Sequence, residues 1–544
     1  MDGGENSINS KLLKLPIGIQ TFEKIRSDGC VYIDKTRYII DMIDNGSRYF
    51  LSRPRKFGKS LTISTIEALF SGRKDLFKGL EAEEYFDRPD YRTYPIVRLD
   101  MNQAATDHGT GSLRSSLLQL VRESGRQNGV EIPGDMTPSD AFRTLILKVA
   151  EKSGPVVMLV DGFDKPALDF VHKAKPGKEA RAILRNFYIQ IKTNDSCLRF
   201  VFMAGISKLS KANIFADANS MKDISMSDKY ARMLGFTEDE LECGFAGYIN
   251  ATARVRGETK DELIAKLSDY YCGFSFDGVS RLYNPHDVLN FFDEGKFKNY
   301  WFDVDTPAAV ADYIRKGENG LEAYRGLVVD EGFTVTSEME NSPPGSYLFQ
   351  AGYLSVRERD GAILTLDFPN TEILSSVANL VIYVRFGDYR AAIKSSLLEK
   401  SLEHGRTEDI IKYFNLILST IPEDLCLRAE ARYASQPPMT NLASTFYHSV
   451  LLTYIWASRL STLANGYNYA EVTGADVSKN GYRYIIELRV TDNDKAHAAA
   501  VIEMMSKLRA NFSASGFEQG KTSLVAMAMD SATRQVKRFA IERL

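Results

Sequence analysis

The sequence predicts an α/β fold: a parallel sheet covered by helices, then a helical region, then a second, small α/β unit. Three observations lead there. Four short apolar runs in the first half alternate with stretches of helical period. One of them, VVMLV, is apolar without a break, which suits a central strand covered on both faces. The end of the chain returns to strand-like runs, GYRYIIELRV, KTSLVAMAM and VKRFAIERL, with a helical pattern from Asp494 to Arg509 after the first.

Taken in order, the first-half strands are expected at Arg48 to Leu51, Pro95 to Leu99, Val156 to Val160 and Leu198 to Met203. From about Thr237 to Lys400 charged helical patterns follow, broken by NP, DG and PPG turns, and no fixed repeat is present. Helical stretches come after Thr407 and precede the C-terminal strands. The domains read as 12–236, a helical connecting or lid region at 237–429, and 430–544.

A chain of 544 residues exceeds what one hydrophobic core usually supports, so several domains are expected. Hydrophobic residues at 44% and charged residues at 26% are globular proportions and exclude a largely disordered chain. The net charge of −3 supplies no general field for a phosphate backbone, so a nucleic-acid site would have to be local. Cys30, Cys197, Cys243, Cys272 and Cys426 are scattered and odd in number, against both a disulfide framework and a zinc cage. The start, MDGGENSINSKLLKLPIGI, has no apolar signal region, and no segment reaches the roughly 18 uncharged apolar residues of a membrane span. A cytoplasmic protein without a membrane partner is expected.

The segment RYFLSRPRKFGKSLTISTIEALF reads as strand, loop and helix, with Ile63, Ile66, Leu69 and Phe70 inward. That is P-loop context. In such a loop, backbone N–H groups and a helix N-terminus surround phosphates, a lysine reaches the β and γ oxygens, and a hydroxyl binds Mg2+. Gly58, Lys59 and Ser60 fit these roles. The general pattern would have its first glycine at Arg53, so the match is incomplete, and an ordinary basic loop at a helix start is the bland alternative. A second element tips the balance: VVMLV ends at Asp161, as a Walker B strand ends in the aspartate that holds Mg2+. The next residue is Gly162, which can neither polarise water nor accept a proton. Hydrolysis is therefore expected to be slow and a glutamate at 162 to speed it. Asp164 is the candidate substitute base; a solvated turn residue or a helix N-cap is its other reading.

At these residues the chain resembles the bacterial and archaeal AAA-ATPase-like proteins that carry a C-terminal PD-(D/E)XK nuclease-like domain. The resemblance starts at LPIGIQTFEKIRSDGCVYIDKTRYI and passes through SRPRKFGKSL, VDGFDKP, MAGISKLSKANIFADANSMKDIS, LGFTEDEL, YYCGFSF, LYNPHDVLNFF and QAGYLSV to TFYHSVLLTYIWA and AEVTGADVSKNGYRYIIELRV. It implies a P-loop NTPase-like N-terminal domain binding ATP and Mg2+ through Arg55, Phe57, Gly58, Lys59, Ser60, Leu61 and Asp161. Arg53 agrees with the family's own loop, RPR-[RK]-FGKS. Gly162 departs from the family's D-E-Y-D, and Ala204 stands where relatives often carry a threonine. Lys208 and Lys211 follow; phosphate contact is one reading of them, and a solvated helix surface is the preferred one.

For the C-terminal unit the resemblance implies a restriction-endonuclease-like fold with a metal site at Asp476 and Glu487, and Arg489 in place of the lysine that activates water. Arginine cannot deprotonate and directs its charge differently. Ser444 stands where relatives often have a glutamate, and the segment from Glu471 to Asp476 is shortened. On its own, aspartate, ten residues, then E-x-R is a pattern that alternating charges on a strand face also produce. The histidines His108, His172, His286, His404, His448 and His497 have neither metal spacing nor a triad order. Three readings follow: an ATP-binding switch, slow or impaired in hydrolysis, that controls a degenerate nuclease-like domain; a metal-dependent nuclease with a regulatory ATP site; and a non-catalytic module that binds nucleic acid or protein. DNA or RNA is the partner implied for the C-terminal domain, and the sequence leaves a homo-oligomer open.

Overall fold

The computed structural model describes residues 12–107, 109–170, 174–207, 221–303, 310–311, 321–334, 344–388, 390–423, 425, 442–459, 461–462, 474–479, 482–512, 521–530 and 532–544. The chain divides into two compact units, one formed by residues 1–304 with 326–370 and the other by residues 305–325 with 371–544. The helices between 371 and 418 thus belong with the C-terminal sheet.

The first unit is built on a five-stranded sheet of order β2-β3-β4-β1-β5. Its strands are β1 (Arg48–Ser52), β2 (Ile96–Asp100), β3 (Val156–Asp161), β4 (Leu198–Gly205) and β5 (Lys222–Asp223). Each neighbouring pair is parallel. The α/β expectation therefore holds here, and the four apolar runs become the four long strands.

Parallel strands need crossovers, and the helices that supply them cover both faces of the sheet. The crossover helices are α3 (Lys59–Phe70), α4 (Thr110–Gln127), α5 (Pro138–Ser153), α6 (Lys165–Leu168) and α7 (Ala174–Thr193), while α1 (Phe22–Ser27) and α2 (Thr36–Asn45) precede β1. Val156, Met158 and Val160 of β3 join Leu117, Phe142, Leu145, Leu184 and Phe187 of α4, α5 and α7 in one core. The alternate residues Val157 and Leu159 are equally buried and belong to the face that α3 covers. Each such side chain contributes about 1.5–3 kcal/mol by leaving water. An unbroken apolar strand is the consequence of being covered twice.

The stretch read from sequence as a helical connecting region contains helices, among them Glu238–Gly244, Ala246–Arg256, Lys260–Tyr271 and Pro285–Glu294. Two of these start with a capping box, at Thr237 with Glu240 and at Thr259 with Glu262. It also contains an antiparallel sheet of order β6-β8-β7: β6 (Leu327–Asp330), β7 (Ser355–Asp360) and β8 (Ile363–Asp367). The sequence reading missed this sheet because β7 is largely charged, SVRERD, and so lacks an apolar alternation.

The second unit has a mixed sheet of order β13-β12-β11-β10-β9. β10 (Gly474–Lys479) pairs antiparallel with both β9 (Ser461–Thr462) and β11 (Tyr482–Thr491), β11 and β12 (Thr522–Asp530) are parallel, and β13 (Gln535–Arg543) closes antiparallel on β12. The helix Asp494–Phe512 makes the parallel crossover and buries Met504, Met505 and Leu508 against Ile485, Leu524 and Ala526. Elsewhere in this unit a buried ion pair, Lys394 with Asp388 at 2.6 Å, is completed by the Tyr454 hydroxyl.

Candidate functional site

The site lies at the C-terminal ends of the parallel strands, where crossover loops leave the sheet. β1 ends at Ser52, the chain turns through residues 53–58, and α3 begins at Lys59. Two residues of the turn have left-handed backbones, Lys56 at φ 62° and Gly58 at φ 95°. Gly58 is the helix N-cap, where a glycine reaches this conformation without steric cost.

Arg53, which stands where the general pattern has glycine, is 1% exposed. Its guanidinium donates to the carbonyls of Ser52, Ser225 and Tyr230 and lies 3.8 Å from the Phe276 ring centre. Burial pushes its pKa down to about 9, with Asp223 and Asp277 opposing. The residue thus anchors the loop from inside. Phe57, 1% exposed, packs edge-on against Phe274 and Phe276. The Arg55 carbonyl accepts from the Trp301 indole at 3.0 Å, and the Leu61 carbonyl from the Ser64 and Thr65 hydroxyls at 2.9 Å each. The loop is held on its outer side by side chains distant in sequence.

Lys59 folds back on its own loop, its ammonium donating to the carbonyls of Arg53 at 3.0 Å and Pro54 at 2.7 Å. Burial pushes its pKa down to about 8, and Asp161 and Asp164 act in the other direction. Asp161 ends β3, is 4% exposed, and accepts a hydrogen bond from Ser60. Burial raises its pKa, Asp100 raises it further, and the Ser60 bond and Lys59 lower it. β4 lies between β1 and β3, so loop and aspartate start roughly 10 Å apart across the sheet. The start of α3 brings Ser60 across that gap. At the end of β4, opposite Asp161, is Ala204, fully buried and without a polar side chain.

Asp164 holds the N-cap position of α6, one of its sequence readings, but its side chain makes no cap hydrogen bond. Asp164 is fully buried; its carboxylate accepts from the backbone N–H of Ile206 at 3.0 Å and of Ser207 at 2.6 Å. It ties the turn after β3 to the end of β4, and burial raises its pKa while those two amides lower it. Gly205 fits there because a Cβ would come within 2.4 Å of both the Asp164 carboxylate and the Phe163 ring. Gly162 has φ +63°, and a Cβ would lie 2.6 Å from Asn102 Oδ1 and 2.8 Å from its Nδ2. A glutamate at 162 therefore meets backbone strain and a collision, and the expectation that it simply restores a base is corrected. Lys208 and Lys211 lie outside the described residues.

Asp100 and Asn102, absent from the sequence reading, complete the strand-end cluster. Asp100 ends β2 directly opposite Asp161. The signal was available: both immediately follow an apolar run, where a parallel strand delivers its last polar residues to the ligand edge.

In the second unit, Asp476 on β10 is paired in register with Ile485, and Glu487 with Gly474; the Asp476 side chain lies outside the described residues, as does that of Ser444. Glu487 is 5% exposed, and burial raises its pKa against the influence of Arg489 and Lys507. Arg489 is bound to Glu503 at 2.6 Å. Among the described residues no group of three or more histidines, cysteines or acids could hold a metal ion. His286 is pushed down to about 4 by burial and then by Lys56, and bonds Asn290; His404 donates from Nδ1 to the Lys400 carbonyl. His497 is 2% exposed, while His108, His172 and the His448 side chain lie outside the described residues. No described helix is long and apolar enough to cross a membrane.

Residues 16–215, which contain all of the P-loop cluster, match a family model described as predicted AAA-ATPase. A protein of Azotobacter chroococcum mcd 1, described as an uncharacterized protein in the vnfD 5' region, is 30% identical over 491 residues, 88% of this chain and 90% of that protein. Among solved structures, the ORC1 protein of Aeropyrum pernix in complex with DNA has a TM-score of 0.24 at 10% identity, covering 64% of this chain and 91% of its own. The ORC2 protein of the same organism, in ADPNP and ADP complexes, has a TM-score of 0.27 at 11% identity, covering 70% and 96%.

Proposed function

Since the chain belongs to the AAA-ATPase-like family, we propose that it binds ATP with Mg2+ at Gly58, Lys59, Ser60 and Asp161, hydrolyses it slowly, and uses its nucleotide state to control the C-terminal unit. One observation carries the ATP site. Among the described residues the Lys59 ammonium is hydrogen-bonded only to carbonyls of its own loop, while Ser60, its neighbour, reaches the aspartate at the end of β3. A lysine resting on neutral backbone acceptors exchanges them for phosphate oxygens at a gain in charge complementarity.

The donor set fits Mg2+, a hard cation that prefers carboxylate and hydroxyl oxygens. Asp161 is crowded by Asp100 and by burial, so a cation beside it relieves a real electrostatic cost. Mg2+ would supply charge neutralisation on the phosphates. Phe57 and Leu61 shape the loop, while Arg55 adds a positive charge close enough to act on Lys59. Slow turnover follows from Gly162 and from the inward position of Asp164, which leave no carboxylate base beside the reacting phosphate.

For the C-terminal unit we read a restriction-endonuclease-like domain whose chemistry has decayed at Asp476, Glu487 and Arg489, with DNA or RNA as its partner. The support is the Arg489–Glu503 ion pair, which engages the one cation of the motif. A metal-dependent nuclease with a regulatory ATP site is the reading this displaces.

Calorimetry of ATP with Mg2+ tests the site. Lys59→Ala is expected to weaken binding at least a hundredfold, about 2.7 kcal/mol; equal affinity in mutant and wild type would remove the site. The same wild-type protein is expected to leave supercoiled DNA intact in Mg2+ or Mn2+. Robust cleavage abolished by Glu487→Ala would make the nuclease reading the better one.

A further inference from the structure

The strand-end cluster contains a polar side chain to which no role has yet been given, and it occupies the place of the missing carboxylate. We propose that the Asn102 carboxamide positions the attacking water for ATP hydrolysis; this rests on the ATP-binding reading above.

The placement comes first. β2 and β3 are neighbours in the sheet, and Asp100 and Asp161 end them side by side. Asn102 lies two residues beyond Asp100, in the loop that leaves the same edge. A Cβ built on Gly162 would fall 2.6 Å from Asn102 Oδ1 and 2.8 Å from both Cγ and Nδ2. The carboxamide therefore fills the volume in which a side chain at 162 would start. Glycine at 162 and asparagine at 102 are matched: a side chain at 162 would require the Asn102 carboxamide to move aside.

Orientation comes next. The Asn102 backbone N–H donates to Asp100 Oδ1 at 3.1 Å and its Nδ2 to the same oxygen at 2.8 Å. Gln103 Nε2 holds the other oxygen, Oδ2, at 3.0 Å. With its amino group donating to Asp100, the carboxamide keeps its oxygen as an acceptor, and oxygen and nitrogen both lie beside the Gly162 position. Asn102 is exposed, so water reaches it.

The chemistry then follows. A carboxamide oxygen accepts a hydrogen bond from water and orients it without taking its proton, as a glutamine does in small GTPases. The water oxygen forms a bond to the γ-phosphorus. The bond from that phosphorus to the bridging oxygen breaks, its electron pair leaves with ADP, and the water proton passes to the released phosphate. Orientation without proton removal gives slow turnover, which is what Gly162 led us to expect.

Steady-state turnover and ATP calorimetry on wild type, Lys59→Ala and Asn102→Ala decide it. The expected result is that Asn102→Ala lowers kcat tenfold or more while KM and the ATP Kd stay within twofold, with an unchanged melting curve. A kcat within twofold of wild type overturns the proposal. So does wild-type protein that binds ATP yet shows no turnover above that of Lys59→Ala. Failure of wild type to bind ATP is a different result: it removes the P-loop reading itself.

Discussion

The two candidate sites hold their cations in opposite ways. In the first unit Lys59 is partly buried, carries a lowered pKa, and leans on two uncharged carbonyls. In the second, Arg489 is closed onto Glu503, and Lys507 lies 3.2 Å from the same carboxylate. A site that awaits an anion leaves its cation on weak, exchangeable partners; a surface network pairs it with an opposite charge. The difference separates a lysine resting on neutral carbonyls from an arginine paired on a strand face, although both began as a short motif at a strand.

The sharpest way to break the comparison is through Asp164, because it asks whether the first site holds a base at all. Asp164→Ala removes the acceptor of two backbone N–H groups, and each buried orphan costs about 1–3 kcal/mol. The expected loss in denaturant-unfolding stability is about 3 kcal/mol. A variant as stable as wild type but without ATP turnover would make Asp164 a catalytic base instead.

Lys59→Met probes that lysine directly and should have the opposite sign. A folded pKa near 8 against 10.5 unfolded means that the unfolded chain binds the proton more tightly. The resulting penalty is full below about pH 8 and fades as pH rises toward 10.5. The nucleotide-free variant is therefore expected to gain about 1 kcal/mol at pH 7, discounted because the side chain is partly exposed, and to gain less at pH 10. Thermal melting at the two pH values checks this. A loss of stability at pH 7 would show the ammonium to be a structural tie.

Arg489→Met gives the smallest effect. Glu503 is half-exposed, so the ion pair is screened and its removal should cost less than about 1 kcal/mol, falling further in high salt. A larger, salt-independent loss would mean that Arg489 supports the fold of the second unit, and the contrast with Lys59 would lose its basis.

Much of the first unit was legible. The run Pro95 to Leu99 became β2 at Ile96–Asp100, and VVMLV became β3 with its aspartate, because strands buried on both faces carry their position in apolar runs. That Lys59, Ser60 and Asp161 lie near one another was legible for a related reason: the loop runs straight into its helix, and Asp161 follows its strand directly. The Tyr484 to Val490 strand and the helix after it were legible as well, as β11 and Asp494–Phe512.

What only the tertiary structure decided concerns partners distant along the chain. Arg53 looked like a defect in a glycine pattern until Phe276 and the Ser225 and Tyr230 carbonyls were found around it, more than 170 residues away for the nearer of those carbonyls. Asp164 looked like a spare base until the amides after β4 enclosed it. Asn102 and Gly162 lie far apart in the sequence but within one contact at the strand ends. Local pattern fixes which segments become strands and helices, since periodicity and burial act on neighbours. The role of a polar residue depends on what the fold sets against it, and those groups come from strands adjacent in the sheet and remote along the chain.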